Sequence, residues 1–97
     1  MNGYVVIDTE VIDQHAFSEF VERIPGAMAA NGGRFVVRGG QSQVAEGDWT
    51  PKRLVIMEFE SLEAANAFLD SDEYTALDEL RHRAVKSNVV VVEGYST

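Results

Sequence analysis

The sequence predicts a small α+β domain: a four-stranded antiparallel sheet with its helices packed on one face. Three observations carry this expectation. Four short runs of β-branched and aromatic residues are interleaved with two stretches in which apolar residues recur at helical spacing. The order of these segments is β-α-β-β-α-β. The last two β runs are apolar on nearly every residue, so both of their faces must be covered.

Tyr4-Val5-Val6-Ile7 opens the chain as a strand, with Val5, Ile7 and Thr9 on one face and Tyr4, Val6, Asp8 and Glu10 on the other. Asp13 is a good N-cap for the segment that follows. There Phe17, Phe20, Val21, Ile24 and Met28 form a one-sided stripe, which places helix one at about residues 13–30. Pro25 is expected to kink or split this helix, and Asn31-Gly32-Gly33 to end it.

The second strand lies in Gly32-Gly33-Arg34-Phe35-Val36-Val37-Arg38-Gly39-Gly40, a run fenced by a glycine pair at each end. Strict alternation puts Phe35 and Val37 on one face and Arg34, Val36 and Arg38 on the other. Gly39-Gly40 is the expected site of a bulge, with residues 42–46 continuing as a bent strand. Gly47-Asp48 and Thr50-Pro51 supply turn chemistry before the third strand, Arg53 to Phe59. Ser61 caps a helix with the stripe Leu62, Ala65, Phe68 and Leu69; Ser71 or Asp72 caps a further one through Tyr74, Leu77, Leu80 or Arg81, and Ala84. Val89-Val90-Val91-Val92 is the fourth strand.

This order is the ferredoxin-like pattern, read here as one domain over residues 1–97. Such a sheet leaves one face bare, yet strands three and four offer valine, isoleucine and leucine to it. A second copy of the same sheet is the expected cover, giving a homodimer closed into an α/β barrel.

Composition narrows the function classes. The chain has 97 residues and a net charge of −8, which argues against nucleic acid or an anionic membrane as a general partner. It has no cysteine, so thiol chemistry and disulfides are excluded. With no signal-like start and no apolar run of bilayer length, the expected location is cytoplasmic. No dinucleotide, phosphate-loop or nucleophile-elbow pattern occurs, and no cofactor is expected.

The run GGRFVVRGG, the following Glu46-Gly47-Asp48-Trp49, Pro51 and Arg53-Leu54, the strand end Glu58-Phe59, and Asp72-Glu73-Tyr74 resemble the bacterial domain of unknown function 1330 family. The resemblance implies a dimeric α/β barrel and transfers no reaction. The wider fold group includes small monooxygenases, haem-degrading enzymes and lactone isomerases.

The candidate site residues follow. Arg34 and Arg38, with Asp8, Glu10 and Glu58 turned to the same side, suit a carboxylate-binding or acid/base pocket inside the barrel. The alternative is a salt-bridge network that sets the register of the dimer. Glu58 and Tyr74 are the catalytic candidates; Arg34, Arg38, Trp49 and Arg81 are the ligand-binding ones. Tyr74 also fits a core position, and Trp49 is expected to anchor the partner copy or cap a pocket. A cavity on the helix side of the sheet would instead move the site toward Tyr74 and Arg81. His15 with Glu19, and Asp78 with His82, form half of a metal site at most, and no metal is expected.

The leading reading is therefore a homodimer that binds a small organic acid or aromatic metabolite. The alternatives are a cofactor-independent monooxygenase or isomerase, in which Glu58 would be a base of raised pKa, and a structural or regulatory dimer without a pocket.

Overall fold

The computed structural model describes residues 1–96. Its elements are β1 (Gly3–Val11), α1 (Gln14–Ala30), β2 (Arg34–Arg38), β3 (Leu54–Phe59), α2 (Leu62–Asp70), α3 (Asp72–Thr75), α4 (Asp78–Ala84) and β4 (Val85–Glu93). One four-stranded sheet runs in the order β2-β3-β1-β4, every pair antiparallel, with the two longest strands, β1 and β4, side by side. This is the expected ferredoxin-like arrangement.

Local chemistry accounts for the element ends. Asp13 accepts a hydrogen bond from the Ala16 amide at 3.0 Å, and Ser61 does the same for Ala64 at 3.0 Å. Ser71 ends α2 and caps α3, accepting from the Tyr74 amide at 3.2 Å. At the end of α1, Asn31 is the C-cap and Gly32 turns the chain with a φ of +72°, a conformation that favours glycine.

Val5, Ile7, Val55, Met57 and Phe59 project from β1 and β3 onto the helices. Ile24 and Met28 of α1 and Phe68 of α2 meet them in the main core cluster. Phe68 stacks against Phe59 at 5.1 Å and Tyr74 at 4.8 Å between ring centroids. The opposite face of the sheet carries Val6, Leu54 and Ile56, half-buried, and Val90 and Val92, exposed.

Four details differ from the expectation. Pro25 neither splits nor ends α1, which runs continuously from Gln14 to Ala30. Residues 42–46 form no strand. β4 starts at Val85, directly out of α4, because Val85, Ser87 and Val89 continue the ladder against Val11, Thr9 and Ile7. The bulge in β2 lies at Val36, between the pairs Phe35–Met57 and Val37–Ile56, and not at the glycines.

Candidate functional site

The bulge decides which face each arginine takes. Arg34 pairs with Glu58 and Val37 with Ile56, both on the open face. Phe35 pairs with Met57, and beyond the extra residue Arg38 pairs with Val55, on the helix face. One inserted residue inverts the alternation. Arg34 and Arg38 therefore do not share a face, and the expected pocket uniting Arg34, Arg38, Glu58 and Tyr74 does not form within the chain.

On the open face, Glu58 accepts from the Tyr4 hydroxyl at 2.8 Å and from Arg34 Nε at 2.7 Å. The tyrosine bond first, and the arginine after it, hold its carboxyl below the usual glutamate range. That is opposite to the raised pKa a base here was expected to have. Asp8 stands on the same face and accepts from Trp49 Nε1 at 2.9 Å and from the Lys52 amide at 2.9 Å. The Trp49 bond is the chief reason its carboxyl also lies below the ordinary range. Trp49 thus fastens the 39–53 loop to β1 while its ring remains 62% exposed.

The helix side holds the more distinctive feature. A cleft runs between the sheet and α1, floored by Ile7, Val55 and Met57 and roofed by Phe17, Phe20 and Ile24. Its cavity volume is about 40 Å³, behind a mouth open to solvent. That volume suffices for roughly three waters. The polar residues at its wall are Thr9, Ser87, Arg38, Arg53, Tyr74 and Arg81, with no carboxylate or amide side chain among them.

Each is placed by a local device. Arg38 Nη2 donates to the Val21 carbonyl at 3.1 Å. That carbonyl is the acceptor an ordinary residue 25 would use, and Pro25 has no N–H to give it. The guanidinium of Arg38 also lies 4.3 Å from the Phe35 ring centre. Arg53 lies over Phe17 at 5.1 Å, and its other side passes against Gly39, where a Cβ would stand 2.7 Å from Nε. Gly39 is needed there for that clearance and for its φ of +68°. Burial foremost, and the neighbouring Arg38 charge after it, pull the Arg53 guanidinium below the usual arginine range.

Among the described residues, neither Arg38 nor Arg53 has a carboxylate within ion-pair distance. Arg38 and Arg53 differ from the other unpaired cations, Arg83 and Lys86, in lining the cleft. Thr9 Oγ1 and Ser87 Oγ are hydrogen-bonded at 3.1 Å on adjacent strands. Arg81 is paired with Asp78 at 3.3 Å and lies 5.2 Å from the centre of the Tyr74 ring; its Nε is buried without a partner. Burial pushes the Tyr74 hydroxyl above the usual tyrosine range, so it keeps its proton at neutral pH.

Of the residues named from sequence, Arg38, Tyr74 and Arg81 meet at this cleft, while Arg34, Glu58 and Trp49 lie on the other face. Arg53, Thr9 and Ser87 were not singled out. The signal that could have found Arg53 is its place beside Gly39 once β2 and β3 are paired. The half metal sites are otherwise engaged: Glu19 pairs with Arg23 at 3.7 Å, and Asp78 with Arg81. No group of three or more potential metal ligands gathers among the described residues. Among the described residues no helix is long and apolar enough to cross a membrane.

Fold and cleft together define a ferredoxin-like α+β protein with a cationic cavity between sheet and helices. The chain belongs to the family described as domain of unknown function DUF1330, whose pattern matches residues 2–95. Its fold is similar to that of the RPA0582 protein of Rhodopseudomonas palustris, a structural-genomics protein of unknown function. The likeness has a TM-score of 0.76 at 15% identity over 99% of this chain and 84% of that one. The methylated form of RPA0582 gives 0.74 at 14% identity, over 98% and 82%. No curated protein matches the chain.

Proposed function

We propose that the protein binds a small organic acid in the cleft between the sheet and α1, with the carboxylate held by Arg38 and Arg53. The observation that carries this reading is the pair of neighbouring guanidinium groups without a carboxylate, at the wall of an otherwise apolar slot. Like charges held together raise the energy of the empty site, and an anion between them relieves it. Arginine forks suit a carboxylate in two-point contact, and the aliphatic and aromatic walls suit a thin, planar body entering from the mouth.

The protein acts in this reading as a homodimer. Val6, Ile56, Val90 and Val92 on the open face give a second sheet an apolar surface to cover.

Calorimetric titration with benzoate tests the site. Arg53→Ala is expected to weaken binding about tenfold to a hundredfold, the range for hydrogen bonds to a charged group. Arg34→Ala, on the opposite face, should leave the affinity as it is. Equal effects of the two substitutions would count against the cleft.

A further inference from the structure

The cleft specifies more than an anion, because its remaining polar groups have donors to spare. Thr9 and Ser87 together own two O–H groups and use one in their mutual bond, which leaves one O–H on the floor without a partner. Tyr74 lines the cleft, and its hydroxyl has no hydrogen-bond partner among the described residues, although only its tip reaches solvent. Arg81 Nε–H is buried and equally without an acceptor. A buried donor with no acceptor, as Arg81 Nε is, is costly and calls for an occupant that satisfies it; the hydroxyls beside it offer the same occupant further donors.

Charge separates the two sides of the site. Arg38 and Arg53 are uncompensated, whereas Arg81 is neutralised by Asp78. An acceptor beside Tyr74 and Arg81 therefore meets donors with no net charge behind them, which suits an uncharged oxygen better than a second carboxylate.

Resting on the acid-binding reading above, we infer that the ligand is an oxygenated planar acid, a hydroxy- or oxo-substituted aromatic or unsaturated carboxylic acid. Its carboxylate lies at Arg38 and Arg53, and its second, neutral oxygen accepts from Tyr74 and Arg81. An acid without that oxygen enters the same mouth but forgoes those hydrogen bonds, a loss of the order of one or two net hydrogen bonds.

The test is titration of the full chain with benzoate, the three monohydroxybenzoates and terephthalate. At least one hydroxybenzoate is expected to bind about three- to tenfold more tightly than benzoate, the gain of one or two net hydrogen bonds. Tyr74→Phe keeps the ring against Phe68 and should cut that isomer's advantage over benzoate by about the worth of one hydrogen bond. Equal affinity of benzoate and all three isomers would overturn this inference while leaving the acid-binding reading standing. A preference undiminished by Tyr74→Phe would overturn the role of Tyr74, and terephthalate binding tightest would overturn the neutral second end. If none of these acids binds, the acid-binding reading falls and takes this inference with it.

Discussion

At the residue scale, three side chains settle what the cleft and the open face can do. Arg53 is held between the Phe17 ring and the bare backbone of Gly39. Gly39→Ala should therefore act at two levels, straining a left-handed backbone and pushing the guanidinium aside. The expected outcome is a lower melting temperature together with weaker benzoate binding, read by thermal denaturation and titration on the same preparation. Asp8 and Glu58 make the opposite case, since both are held below the ordinary carboxylate range by hydrogen bonds present only in the fold. A depressed folded pKa contributes stability that is fully present above the unfolded value and is lost as pH falls through the folded one. The melting temperature is thus expected to hold at neutral pH and decline below about pH 4. Asp8→Asn should flatten that acid limb; an unchanged limb would remove Asp8 from the account.

At the scale of elements, helix α1 and strand β2 are coupled through a missing donor. Pro25 leaves the Val21 carbonyl free inside a continuous helix, and Arg38 takes it. Pro25→Ala would return the helical hydrogen bond and is expected to stabilise α1 by up to about 3 kcal/mol. The same change frees Arg38, so benzoate affinity should fall while the melting temperature rises. A rise in both would separate Arg38 from the site. β2 also shows where the sequence is legible. Strand and helix order, the caps at Asp13 and Ser61, and the burial of Phe68 and Tyr74 follow from spacing and residue type alone. The bulge does not, because glycines advertise one at 39–40 while the extra residue is Val36, a good strand former with nothing in its chemistry to mark it. That single displacement sends Arg38 through the sheet plane to the helix side. The partnership of Pro25 with Arg38 is equally hidden, since it joins positions 13 residues apart through a backbone carbonyl. Arg53 reads in the sequence only as the start of the third strand, and its place at the cleft depends on its neighbours across the sheet.

For the whole molecule, the sheet divides two jobs. Its helix face encloses the core and the donor-lined cleft; its open face carries the Tyr4–Glu58–Arg34 network, the Trp49 latch and an apolar strip along β4. We propose that a second copy covers that strip, and native mass spectrometry should find a dimer. Val90→Asp would place a charge in the middle of the buried face and is expected to yield monomer. Because the cleft lies on the far side of the sheet, the monomeric variant should still bind benzoate. Backbone amide NMR during titration with benzoate decides whether the ligand sits between sheet and α1 or on the open face. The shifted amides are expected to cluster at Thr9, Val21, Arg38, Arg53 and Ser87. Shifts confined to Tyr4, Arg34, Glu58 and Val90 would contradict the cleft site.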